Sequence, residues 1–150
     1  WMQETKAPVY TIATANDVRS LRPELLRRFD DIMWVDCPNA ASRAEILAVH
    51  LAKRNVKASK LDDVVAATWG FSGAEIEKVV KSAVEVAFFQ NRTVTAADLL
   101  TAARRIVPVS VTMKETIDNL RSWAERRAIP ASEPLEPQPK AQAASAGIEL

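Results

Sequence analysis

The sequence predicts an α/β fold at its start that gives way to an all-helical bundle, with most residues helical. Apolar segments of strand-like composition lie within the first 38 residues, and segments with helical start signals follow them. The last twenty residues are rich in Pro and Ala. We therefore predict three parts, which span residues 1–38, 39–130 and 131–150.

Two strands are predicted in the first part, over residues 8–15 ("PVYTIATA") and 31–37 ("DIMWVDC"). Neither alternates between apolar and polar residues, which is typical of strands buried on both faces of a parallel sheet. Two strands cannot build such a sheet alone. Since the chain also starts at Trp1 and not at methionine, we expect the remaining strands to lie outside this sequence.

Four helices are predicted from one repeated start signal, in which a Ser or Thr is followed three residues later by an acid. The pairs are Ser42 with Glu45, Ser72 with Glu75, Thr95 with Asp98, and Thr112 with Glu115. A fifth, shorter helix is predicted over about residues 61–69, with Gly70 as its stop. Beyond Pro130 little remains to bury, so residues 131–150 are predicted to be a disordered tail.

The composition argues against several functions. Twenty Lys and Arg against nineteen Asp and Glu leave a formal charge of +1. The net charge is therefore too small to attract the whole chain to nucleic acid or to an anionic membrane. No apolar stretch approaches the roughly 20 residues of a membrane-spanning helix. The single cysteine, Cys37, is consistent with a reducing compartment, and we expect a cytoplasmic or plastid-stromal location.

Two polar features in residues 11–31, "TIATANDVRSLRPELLRRFDD", are not needed to build a core. Asn16 ends the first predicted strand, at the edge where ligands of open α/β folds bind. An amide there can orient a water or a phosphate oxygen without adding charge. Taken alone, Asn16 would equally be explained as the start of a turn with Asp17.

Two further segments follow this stretch, "PNAASRAEILAVHL" and "DDVVAATWGFSGAEIEKVVKSAVEVAF". Together the three resemble the second half of an AAA+ ATPase module in the order and spacing of their parts. The resemblance covers about residues 1–107. The segment "IVPVSVTMKETIDNLRSWAERRAIPAS" is similar to the ending of AAA proteins first named as a hypothetical reading frame of algal chloroplasts, and extends it to about residue 132. The resemblance implies the end of a P-loop NTPase core followed by a helical lid. It also implies that the full-length protein binds ATP and Mg²⁺, through loops that are absent from this sequence.

It also implies roles for individual residues. Asn16 falls on sensor 1, and Arg28, directly before Phe29, falls on the arginine finger. In this family the finger reaches the nucleotide of a neighbouring subunit, so the resemblance implies a ring of identical subunits, which we expect to be a hexamer. The stretch is shorter than the family's usual motif, so Arg27 is an alternative finger. Asp31 stands where many relatives have a second arginine, which puts strong coupling between subunits in doubt.

In the lid, Gly73 and Ala74 match the second sensor region, which packs close to the nucleotide, and His50 matches a histidine beside the adenine in some relatives. Each has a structural alternative. Ser72 and Glu75 need no nucleotide to form a capping box, and His50 on an apolar helix face is also explained as a core residue.

The glycines of the sequence, Gly70, Gly73 and Gly147, form no G-x-x-x-x-G-K-[ST] loop, and no "DE" pair ends an apolar strand. We therefore expect no metal site and no ATP hydrolysis from this fragment alone, while the full-length protein is expected to be an ATP hydrolase with an unknown protein client. A short non-catalytic helical adaptor is the alternative function. A helical nucleic-acid-binding domain has only short arginine pairs in its favour.

Overall fold

The computed structural model describes residues 9–138. The helices are α1 (Pro23–Leu26), α2 (Ala40–Lys53), α3 (Asp62–Ala67), α4 (Gly73–Phe89), α5 (Ala96–Arg104), α6 (Val109–Thr112) and α7 (Lys114–Ala124). A 3₁₀ turn spans Val18–Ser20, and the strands are β1 (Met33–Trp34) and β2 (Ile129–Pro130). The part of the predicted tail beyond residue 138 lies outside the described residues.

The main core lies between α2, α3, α4 and α5. Each of these helices contributes apolar side chains spaced at helical intervals to one shared interior. Its buried members are Leu47, Leu51, Val64, Phe71, Ile76, Val79, Val80, Ala83, Leu99, Ala102 and Ala103. This bundle therefore has a continuous interior of its own.

Two of the four predicted helix starts are confirmed as full capping boxes. Ser72 Oγ accepts from the Glu75 amide while the Glu75 carboxylate accepts from the Ser72 amide, and Thr95 and Asp98 exchange the same two bonds. These four side chains satisfy amides that would otherwise lack partners at the start of α4 and α5.

The other two predicted starts are wrong. α2 begins earlier, because Asn39 is its N-cap and the Asn39 side chain accepts from the Ser42 amide at 3.0 Å. Ser42 therefore lies inside the first turn and caps nothing. Thr112 is the last residue of α6, and α7 follows after Met113 without a side-chain cap.

The predicted short fifth helix is present as α3, and the backbone reverses direction after it at Gly70. Gly70 has φ +74°, a conformation that favours glycine. A Cβ built on it would lie 2.5 Å from Ser110 Oγ. This close approach packs the α3–α4 connection against α6.

The strands differ from the predicted ones. β1 occupies only the centre of the predicted segment 31–37, and residues 9–15 form no strand because no described segment pairs with them. The partner of β1 is instead β2, with Met33 beside Ile129 and Trp34 beside Pro130 in a parallel pair. The described chain is thus mostly helical with two parallel strands. This confirms the predicted fold class, although the strands are shorter than predicted.

An ion pair joins α7 to the end of β1. Arg121 Nε and Nη2 donate to the two carboxylate oxygens of Asp36, each at 2.8 Å. Burial raises the pKa of Asp36, but the bonds from Arg121 and from the Cys37 amide outweigh it and hold this pKa below its usual value. Burial, with the charge of Asp36, raises the pKa of the half-buried Cys37 thiol.

Residues 131–138, which we call the C-terminal strap, were predicted to be disordered, and the structure differs there. Glu136 accepts from the Ala40 amide at 3.0 Å and from Arg43 Nη2 at 2.6 Å. The Glu136 carbonyl also accepts from Trp69 Nε1 at 2.9 Å. Composition alone missed these polar contacts because they depend on residues 67 to 96 positions away.

Candidate functional site

Asn16 lies on a cleft of about 240 Å³ between residues 13–34 and α7. The other lining residues are mostly apolar and include Leu25, Phe29 and Trp123. The turn that follows is capped by Asp17, whose carboxylate accepts from the Arg19 amide at 2.9 Å. Since Asp17 makes this bond, the exposed amide of Asn16 is not needed for the turn and remains available to a ligand.

Arg27 and Arg28 directly follow α1 and are both exposed. Phe29 is partly buried and lines the cleft, which anchors the stretch beside Asn16. Among residues 9–138, neither arginine forms an ion pair, although six other Lys or Arg side chains do. Each guanidinium therefore retains its donors for an outside anion.

Gly73 and Ala74 form the start of α4, as the sequence predicts. A Cβ built on Gly73 would lie 3.9 Å from Ile46 Cδ1, so the glycine faces α2 without crowding. Glu75 accepts from the Ser72 amide at 2.8 Å and from the Val109 amide at 2.7 Å. A carboxylate therefore already lies at this helix end, where it repels any second anion.

His50 lies one turn beyond Ile46 on α2, opposite Glu77 of α4. Its side chain is 14% exposed, and its Nδ1 lies 3.7 Å from Glu77 Oε1. Arg54 Nη2 donates to the same oxygen at 3.2 Å. His50 Nδ1 is buried and has no hydrogen bond within the described chain. The structure thus brings His50 and Gly73 onto adjacent turns of two packed helices, and both the core and the ligand explanations of His50 stay open.

The predicted site residues form two separate groups. Across residues 9–138, no hydrogen bond or ion pair joins Asn16, Arg27 or Arg28 to the group at His50 and Gly73. The same part of the chain holds no group of three or more His, Cys, Asp or Glu side chains arranged to bind a metal. Nor does it contain a helix both long and apolar enough to cross a membrane.

Arg43, a buried charged residue that connects separate segments of the chain, was not identified from the sequence. Arg43 is 1% exposed and donates to the carbonyls of Pro38 and Val65 as well as to Glu136. Its position on the buried face of α2, one turn before Leu47, is the only sequence signal of burial. A buried guanidinium needs hydrogen-bond partners within the protein, and the acceptors of Arg43 come from three separate segments.

Comparison with solved structures identifies the class of fold. The chain matches the crystal structure of the FIGL-1 AAA domain in complex with ADP with a TM-score of 0.65 and 20% identity. The match covers 74% of this chain and 42% of that one. The described residues therefore have the fold of part of an AAA domain.

The sequence comparisons agree and are more specific. The uncharacterized AAA domain-containing protein ycf46 of Guillardia theta is 40% identical over 129 residues, which make up 83% of this chain and 26% of the relative. ATP-dependent zinc metalloprotease FtsH 2 of Sphaerobacter thermophilus is 35% identical over 127 residues, 82% of this chain and 19% of the relative. No family model matches the chain.

The chain is part of an AAA ATPase domain, as its sequence motifs predicted, and it is similar to the plastid ycf46 proteins. It spans about a quarter of the length of the ycf46 relatives it matches.

Proposed function

We propose that this chain is the carboxyl-terminal part of an AAA+ module that binds and hydrolyses ATP in a ring of identical subunits. In this proposal Asn16 aligns the attacking water in its own subunit, and Arg28 reaches the ATP of the neighbouring subunit. The observation that carries the proposal is the state of Arg28, an exposed and unpaired guanidinium fixed directly before the anchored ring of Phe29. A planar cation in that position suits the charge that develops in phosphoryl transfer.

ATP supplies the phosphoryl group, and Mg²⁺ neutralises charge on its phosphates. Of the residues present, Gly73 and Ala74 would contact the nucleoside, because the carboxylate of Glu75 already occupies the anionic position at this helix end. His50 would lie beside the base, where its buried Nδ1 gains the hydrogen-bond partner it lacks. Residues outside this chain would hold the phosphates and the metal.

The lid consists of α2 to α5. In this proposal ATP hydrolysis moves the lid against β1, and this movement acts on an unknown protein client. Pro38 and Asn39 lie between β1 and α2, so they are the hinge in this proposal. We place the ring in the cytoplasm or the plastid stroma.

The proposal predicts that Arg28→Ala in the full-length protein lowers the turnover of bound ATP by about 10³-fold or more while nucleotide affinity changes little. Single-turnover hydrolysis and nucleotide titration measure the two quantities separately. Arg22→Ala is the matched control, since Arg22 is an exposed arginine at the start of α1. Arg27→Ala decides which arginine is the finger. If affinity fell and turnover of bound ATP held, the finger assignment would be wrong.

Mixed rings test whether Arg28 acts on a neighbour. Subunits with Asn16→Ala keep Arg28, and subunits with Arg28→Ala keep Asn16. If the finger acts between subunits, mixing the two inactive variants creates complete sites and restores part of the turnover. If the mixture stays as inactive as its parts, Arg28 does not act between subunits and the finger assignment is wrong. A full-length wild type that hydrolyses no ATP would instead favour the non-catalytic adaptor.

A further inference from the structure

The C-terminal strap, residues 131–138, is attached on both sides of the hinge at Pro38 and Asn39. On the strand side, the Ala131 amide donates to the Trp34 carbonyl at 2.8 Å and continues the pairing of β2 with β1. On the helical side, Glu136 contacts the first turn of α2. The strap therefore bridges the segment that connects the strands to the bundle.

The attachment on the helical side is well built. One carboxylate oxygen of Glu136 accepts from the Ala40 amide, and the other accepts from the buried guanidinium of Arg43. Arg43 in turn donates to the carbonyl of Pro38, within the hinge itself. A carboxylate at a helix N-terminus and an ion pair with a buried arginine are both charge-assisted contacts, the stronger kind of hydrogen bond.

A second contact fixes the strap backbone. The Trp69 indole donates to the Glu136 carbonyl at 2.9 Å. Trp69 lies between α3 and α4, so the strap touches the bundle at two separate elements. Glu136 is partly buried, with a side chain that is 33% exposed, so water can reach its carboxylate and compete for its hydrogen bonds.

We infer that the strap is a releasable clasp, in which Glu136 holds the helical bundle against the β1–β2 pair and must let go before the bundle can rotate about Pro38 and Asn39. Any such rotation carries Ala40, Arg43 and Trp69 away from Trp34. The strap cannot follow both sides, because Ala131 and Glu136 are only five residues apart. The restraint on lid movement rests on the proposed function, whereas the contacts of the clasp do not.

Hydrogen exchange in the full-length protein tests the clasp without any need for ATP. Glu136→Ala should speed exchange of the Ala40 amide about tenfold, the effect of losing a charge-assisted bond. Because the strap is attached on both sides, exchange of the Ile129 and Ala131 amides should rise as well. Glu133→Ala is the control, since it removes the same charge from an exposed strap position without a hydrogen bond in the described chain.

Trp69→Phe is a milder second variant that allows the test to proceed if Glu136→Ala fails to fold. It removes the indole hydrogen bond and part of the ring, and it leaves the Glu136 carboxylate in place. It should raise exchange at the same amides by a smaller factor. Exchange at Ala40 or at Ala131 that is unchanged in both variants, or that rises equally in Glu133→Ala, would overturn the clasp.

ATP turnover then tests the restraint on the lid. Glu136→Ala should raise turnover several-fold over both the wild type and Glu133→Ala, because a freed lid opens more often. Faster exchange with unchanged turnover would overturn the restraint. An intact protein that hydrolyses no ATP would overturn the proposed function instead, and the exchange results would still decide the clasp.

Discussion

The helical bundle and the strand-containing region bury their apolar residues to very different degrees. Leu47, Ile76 and Leu99 in the bundle are fully buried. None of residues 9–38 is buried, and Tyr10 and Ile12 are 87% and 78% exposed. The bundle thus completes its own core, whereas residues 9–38 present an apolar surface that we expect neighbouring strands of an AAA core to cover.

The two regions are also held together by different forces. In the bundle, non-directional apolar burial dominates, and the helix caps add to it. In the strand-containing region, a bidentate ion pair between Asp36 and Arg121 and a two-residue strand pair connect segments far apart in sequence. Stability of the first region should therefore respond to side-chain volume, and that of the second to charge and pH.

The largest expected difference between the regions comes from removing the same side chain in each. Leu47→Ala leaves a cavity in a closed core and should lower the free energy of unfolding by about 2–5 kcal/mol. Leu25→Ala, at a position that is 39% exposed, should cost less than about 1 kcal/mol. Urea denaturation of both variants measures the two costs. Equal costs would show that the strand-containing region has a core as closed as that of the bundle.

An intermediate effect is expected at Asp36. Asp36→Asn should lower the free energy of unfolding at pH 7 by about 1–2 kcal/mol, because Arg121 loses a bidentate partner in a partly solvated position. Asp30→Asn, at an exposed position with no ion pair in the described chain, is the control.

The effect of Asp36→Asn should depend on pH. The pKa of Asp36 is lower in the folded protein than its usual 3.8, so the carboxylate stabilises the fold above that value. This contribution is lost as the pH falls through the folded pKa. The gap between wild type and Asp36→Asn should therefore begin to narrow as the pH falls below about 3.8, and it should close once the pH is below the folded pKa of Asp36. A gap that stays constant from pH 7 to acid would mean that packing, and not charge, accounts for the cost.

Sequence patterns predicted the bundle well because its signals are local. Helical spacing and the capping boxes at Ser72 and Thr95 each involve residues within one or two turns. β2 was missed because its two residues become a strand only by pairing with β1, almost a hundred positions away. Residues 9–15 of the predicted first strand form no strand for the same reason, since a strand requires a partner that no described segment supplies.

In the candidate site, too, the residues that form local sequence patterns were predicted, and those that make contacts with distant segments were not. Asn16, Arg28, Gly73 and His50 were singled out by their order in a family motif, which depends only on sequence. The supporting roles of Arg43 and Glu136 were not, because neither residue forms a local pattern and the two residues lie 93 positions apart. Propensity and spacing identify residues that belong to a motif, whereas buried polar contacts between distant segments require coordinates.

The smallest effect is expected when a serine at a predicted helix start is replaced. Ser42 and Ser72 have the same spacing to a glutamate, so the pair tests whether this sequence pattern alone identifies a helix cap. Ser72 accepts from the Glu75 amide and caps α4, while Ser42 lies within the first turn of α2, where Asn39 is the cap. Ser72→Ala should therefore lower the free energy of unfolding by about 1 kcal/mol, and Ser42→Ala by less than about 0.5 kcal/mol. Thermal or urea denaturation resolves this difference if several independent preparations are averaged. Equal costs for the two serines would mean that sequence spacing, and not the observed cap geometry, identifies the start of these helices.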